Sequence, residues 1–140
     1  MEWNPIATRS SSAPFEITVD RHGGVVRTLL RGFWTMDDLN AFGAGMYAAV
    51  QAVAARHAVF GLLSDSTAFK IQSPEVSEGF ARMMEIGNKS HAGPTAIVVG
   101  TALNKIQAGR VFTDPRVRVF LDPVEARRWV DEELARLRNS

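Results

Sequence analysis

Covalent catalysis needs a serine, cysteine or lysine beside a base that a third group holds in place, and this chain offers few such sets. It has no cysteine and three histidines. His22, His57 and His91 fall at expected turns or helix ends, away from the strand termini where sites gather, and read as surface or capping residues. There is no G-x-S-x-G elbow, no H-x-x-x-H and no C-x-x-C, so no hydrolase or zinc pattern is present and no metal or cofactor is expected. Asp65, Lys70 and Lys105 together could do acid-base chemistry, but no spacing rule brings them within reach. Gly23-Gly24 precedes a strand, and Gly43 and Gly45 lie inside a helix, so neither opens a helix after a strand as phosphate cradles do.

Two segments hold more promise. Gly100-Thr101 follows a strand and precedes a short helix carrying Lys105 and Arg110, so a small anion could sit at its start, although a plain Thr101 cap explains the same residues. The stretch from Asp65 to Ser77, DSTAFKIQSPEVS, leaves the end of a strand and enters a helix, and open α/β sheets place ligands and partners at such carboxyl ends. Asp65, Ser66, Thr67, Phe69, Lys70, Ser73 and Ser77 are its candidate surface residues. Ser73 before Pro74 fits a helix N-cap, worth on the order of 1 kcal/mol. A phosphate there would meet the positive helix end but also Glu75 and Glu78. Phe33, Trp34 and Met83 could line an apolar groove, with core packing as the alternative.

The elements that must position these residues are legible from periodicity. Phe15, Ile17 and Val19 alternate with polar residues, Asp20 to Gly24 supplies a turn, and Val25 to Arg31 completes a hairpin. Thr35 and Asp38 cap a helix running to about Arg56, with Leu39, Phe42, Met46, Val50 and Val53 on its inner stripe. Ala58 to Leu63 reads as a buried strand ending at Ser64-Asp65, with a loop from there to Ser73. A helix follows from Pro74, then a loop over 88 to 94, and Thr95 to Val99 is a further buried strand. Leu103, Ile106 and Val111 mark a short helix over 102–112, and Val117 to Phe120 a last strand. Asp122, Pro123 and Glu125 start a final helix with Ala126, Trp129, Val130, Leu134 and Leu137 inward. The order β-β-α-β-α-β-α-β-α predicts an α/β domain with a mixed, mostly parallel five-stranded sheet and about four helices.

Composition narrows the function classes. The chain has 140 residues, 46% of them hydrophobic, which fits one globular domain over 14–140 behind a loose N-terminal arm over 1–13. Sixteen basic and fifteen acidic residues leave a formal charge of +1 without long runs of one sign, so nucleic acid and stable membrane insertion are not expected. The N-terminal stretch lacks the apolar core of a secretory signal, and a cytoplasmic location is expected. The hairpin leaves a sheet edge that a homodimer could cover.

The element order, the strand ending GLLSD, Ser73 at a helix start, and the segments RTLLRGFWTMDDL and AIVVGTALNKIQAGRVF resemble the SpoIIAA-like superfamily. That superfamily includes the STAS domains of anti-sigma factor antagonists, and the chain is more closely similar to its single-domain bacterial STAS/SEC14 branch over residues 15 to about 131. The resemblance implies a non-enzymatic signalling domain that binds a protein such as an anti-sigma factor or kinase, with a serine at the second helix start that the kinase phosphorylates. Ser73 falls at or near that serine, although Gln72-Ser73-Pro74-Glu75 stands where the family motif reads Asp-Ser-Ser/Thr-Gly. The SEC14 side of the branch implies the alternative, a domain for a small apolar ligand or lipid, with Lys70 or Lys105 holding a headgroup.

Overall fold

A computed structural model describes residues 13–139; the expected arm lies outside these except for Ala13. Nine elements follow in chain order: β1 (Phe15–Asp20), β2 (Val25–Gly32), α1 (Met36–Ala54), β3 (Gly61–Phe69), α2 (Pro74–Ser90), β4 (Thr95–Val98), α3 (Ala102–Val111), β5 (Val117–Phe120) and α4 (Pro123–Arg138). The strands form one sheet in the order β1-β2-β3-β4-β5, with β1 antiparallel to β2 and the other neighbours parallel. The expected α/β class, element order and mixed sheet are all present.

Each parallel crossover moves one strand further in the same direction, and right-handed connections then put the crossover helices on one face. The packing agrees. Val26, Leu30 and Ile97 meet residues of α1, α2 and α3 on one side, while the alternate residues Val25, Leu63, Ala96, Val98 and Phe120 meet Ala126, Val130 and Leu134 of α4 on the other. On α1 the buried residues Leu39, Phe42, Ala49 and Val53 follow the predicted spacing of three and four, with Ala49 taking the place expected of Val50.

Rings concentrate where β2 leaves the sheet. Trp34 is 1% exposed and packs its indole against Phe15, Phe42, Phe69 and Phe80, with centroids 4.8 to 6.0 Å away. Each such ring removes roughly 150–250 Å² from water, about 4–6 kcal/mol apiece at ~25 cal/mol per Å² before conformational entropy is subtracted. The Trp34 indole N–H donates to the carbonyls of Pro14 (3.1 Å) and Arg31 (3.0 Å), so burial leaves no unpaired donor.

Two expectations need correction, and the short helix α3 forms where expected. β3 does not end at Asp65: it starts at Gly61 and runs to Phe69, because a bulge between the Leu29–Asp65 and Arg31–Ala68 pairs lets Ala68 and Phe69 continue alongside Arg31 and Gly32. α2 continues through Ser90 where a loop was expected, since Arg116 donates to the carbonyls of Asn88 (2.8 Å) and His91 and so satisfies its end. Leu103, Ile106 and Val111 of α3 face water, and the helix rests on the sheet through Ala108 and Phe112 instead.

Candidate functional site

The carboxyl ends of the parallel strands form a row, and each exit carries an exposed apolar side chain. Phe33 follows β2 (63% exposed), Ile71 follows β3 (93%), Leu103 lies in the first turn after β4 (62%) and Leu121 follows β5 (44%). Two local devices set the first two, Phe33 and Ile71. Gly32 adopts φ +71°, a region that side-chain-bearing residues avoid. That turn sends the next two aromatics apart, Phe33 to solvent and Trp34 into the core.

The second device is Gln72, which ties the β3–α2 connection to the end of β2. Its Oε1 accepts from the Trp34 backbone N–H (2.7 Å), and its Nε2 donates to the carbonyls of Gly32 (2.8 Å) and Lys70 (2.7 Å). The Lys70 N–H adds a bond to the Gly32 carbonyl at 3.1 Å. Ile71 therefore sits between two anchored neighbours with its side chain in water. Directly after the clamp, Ser73 caps α2 by accepting from the Val76 N–H at 3.3 Å, and the Ser77 N–H donates to the Ser73 carbonyl at 2.9 Å.

The candidates from the sequence divide between this rim and the interior. Lys70, Ser73 and Ser77 lie at the rim, with Lys70 and Ser77 exposed and Ser73 half-buried. Asp65 sits inside β3, where its Oδ1 accepts from the Thr67 N–H (3.0 Å) and hydroxyl (2.7 Å) and so holds the bulge. Ser66 is within the same strand, its hydroxyl 3.5 Å from that of Ser64, and Phe69 packs on Trp34. The expected groove of Phe33, Trp34 and Met83 does not form: Trp34 is core, Met83 packs against the same cluster, and only Phe33 is exposed. Thr101 caps α3, accepting from the Asn104 N–H at 3.0 Å. Arg110 lies in the last turn of that helix, roughly 13 Å along the axis from Thr101 at 1.5 Å per residue, so the expected anion set of Thr101, Lys105 and Arg110 does not converge.

Charge is segregated between the two ends of the sheet. At the carboxyl rim, first turns and caps carry Asp37, Asp38, Glu75, Asp122 and Glu125 against the bases Lys70 and Lys105. At the amino end the last helical turns carry Lys89, Arg110, Arg136 and Arg138. Around that end His57 and His91 have structural partners, while His22 is exposed in the hairpin turn. His57 Nε2 bonds to the Arg21 carbonyl at 2.7 Å, and the His91 ring stacks on Phe60 with centroids 4.9 Å apart. Burial, reinforced by the Arg116 charge, pushes the His91 imidazolium to titrate below the usual histidine range. The Asp20 carboxyl is held below its ordinary range by the Gly23 N–H and by Arg127, which fixes the hairpin turn to α4.

An open groove of about 670 Å³ runs between α4 and β2, lined by Arg27, Val124, Arg127, Arg128, Asp131 and Glu132 among others. It contains none of the candidate site residues from sequence. Arg127 is already bound to Asp20 and Asp131, so the groove's charges are largely compensated. Among the described residues no group of three His, Cys, Asp or Glu side chains could hold a metal, and no helix is long and apolar enough to cross a membrane. Gln72 and Arg116 are the residues that sequence reasoning missed.

No known protein family and no curated protein matches the chain. Among solved structures it is similar to the crystal structure of an uncharacterized protein of the DUF3478 family, with a SpoIIAA-like fold, from Shewanella loihica PV-4. The TM-score is 0.67 at 18% identity, and the match covers 93% of this chain and 98% of that one. The chain has a SpoIIAA-like fold.

Proposed function

We propose that this chain is a non-enzymatic, regulatory protein-binding module that engages a protein partner through the carboxyl rim of its sheet. The observation that carries this reading is the placement of one exposed apolar side chain at each of four adjacent strand exits. Folding normally removes such groups from water, and burying an isoleucine is worth about 1.5–3 kcal/mol. Ile71 leaves that free energy unused in the isolated chain, and a partner surface can take it up. The clamp by Gln72 strengthens the reading, because a loop already fixed in place loses little conformational entropy on binding. This surface keeps the 70–77 part of the segment expected from sequence and adds Phe33, Leu103 and Leu121.

The experiment is comparative capture from cells that make the protein, using the wild type, the double variant Phe33→Asp/Ile71→Asp, and Tyr47→Asp as an exposed apolar control on α1. The expected result is a protein retained by the wild type and the control and released by the double variant. If all three chains retain the same proteins in equal amounts, the rim is not the binding surface.

A further inference from the structure

Resting on that reading, we infer that the partner meets the rim with a cationic amphipathic helix. Two features of the rim select it. The first is shape: the exits of β2 to β5 lie in sheet order, and at about 4.8 Å per strand the row from Phe33 to Leu121 is roughly 15 Å long. A helix rising 1.5 Å per residue covers that length with about ten residues, placing three apolar anchors at i, i+3 or i+4, and i+7 along one face. An extended strand offers a poorer fit, because it would add along the free edge of β1 or β5, parallel to the strands, and not across the four exits.

The second feature is charge. Asp37, Glu75, Asp122 and Glu125 are all exposed around the apolar row, and Lys70 and Lys105 are the bases among them. Lys89, Arg110, Arg136 and Arg138 stand at the opposite end of the sheet, where Glu133, Asp114 and Asp20 each pair with an arginine, so the carboxylates there are neutralised locally while those of the rim outnumber the rim's lysines. A helix with basic flanks is drawn toward the rim rather than the opposite end, which fixes where it lands as well as how it lies. A rim of apolar residues ringed by carboxylates also rejects acidic partners, since each would bring like charges together at the moment of desolvation.

The test uses two synthetic helical peptides of equal length and identical apolar pattern, one built of Leu and Lys and one of Leu and Glu. Amide chemical shifts and dissociation constants are measured for the full chain and for an Asp37→Lys/Glu75→Lys variant. The Leu/Lys peptide is expected to shift amides over 33–39, 70–77, 101–105 and 121–125. Its binding should weaken about tenfold in the charge-reversed variant, and about tenfold again as salt rises from roughly 50 to 500 mM, where the Debye length falls from about 14 to about 4 Å. If the Leu/Glu peptide binds the rim equally well or better, the inferred charge is overturned while the rim remains the partner surface. If neither peptide perturbs rim amides, both the inference and the rim reading fall.

Discussion

Replacing Gln72 by Ala tests whether the rim is held in place by one side chain. The substitution removes three hydrogen bonds, and their consequences differ. The Trp34 N–H loses its acceptor beside a fully buried ring, which costs about 1–3 kcal/mol for a donor with restricted access to water. The Gly32 carbonyl keeps the Lys70 N–H at 3.1 Å, so its loss is small. The Lys70 carbonyl turns to solvent, adding at most about 0.5 kcal/mol. The expected destabilisation is therefore about 2 kcal/mol, or roughly 7 °C in Tm for a domain of this size. Urea denaturation followed by tryptophan fluorescence reads it as a lower midpoint at unchanged slope. Gln72→Glu should be worse than Ala at neutral pH, because its carboxylate keeps the bond to the Trp34 N–H but faces the Gly32 and Lys70 carbonyls with no proton to donate. A Gln72→Ala protein within 0.5 kcal/mol of the wild type, as a surface substitution would be, would refute the clamp.

Ser73→Ala should cost about 0.5–1 kcal/mol and Ser73→Asp less, since Asp also caps; the 3.3 Å bond to Val76 puts the loss at the lower end, and thermal unfolding measures both. Gly32→Ala should destabilise by roughly 1–2 kcal/mol through its positive φ although a Cβ there meets no atom within 4 Å, so equal stability in calorimetry would show that the turn relaxes freely. Stability should fall on acidification below the ordinary histidine range. His91 titrates below that range in the fold, so the unfolded chain binds its proton first, and the loss accumulates between the unfolded and folded values by up to about 1.4 kcal/mol per pH unit. Denaturant midpoints at pH 7 and 5, compared with those of His91→Asn, check it: the variant should lose that part of the slope. The Asp20 and Asp114 carboxyls, both depressed by donors around them, add their loss only at lower pH, below the usual carboxylate range.

What could be read from sequence was what neighbours decide. Thr35 with Asp38, Ser73 with Pro74, and Asp122 with Pro123 start helices where expected, because each cap acts within three residues of itself. The inward stripes of α1 and α4 were also visible, since the buried residues of both recur at spacings built from three and four. The length of β3 was not. Ser64 to Ala68 is too polar and small to signal a strand, and it pairs with Thr28, Leu29 and Arg31, more than thirty residues earlier in the chain. α3 was legible as a helix but not in its facing: it carries apolar residues around its circumference, so spacing alone could not say that Leu103 and Ile106 face out while Ala108 faces in. Gln72 and Arg116 act through side-chain bonds to backbone 25 to 40 residues away, and no local pattern encodes such a partner. Part of the site was therefore legible as a location, the helix start at Ser73. Its apolar character was legible in Phe33, but the row of Phe33, Ile71, Leu103 and Leu121 only once the strand exits stood side by side.

The most direct measurement is site-specific photo-crosslinking in cells that produce the protein, with the reactive side chain placed at position 71 and, separately, at position 47. The rim account predicts a discrete protein adduct from position 71 that is absent from position 47 and is lost when Phe33→Asp is added. Adducts from position 47 alone, or equal adducts from both positions, would contradict it.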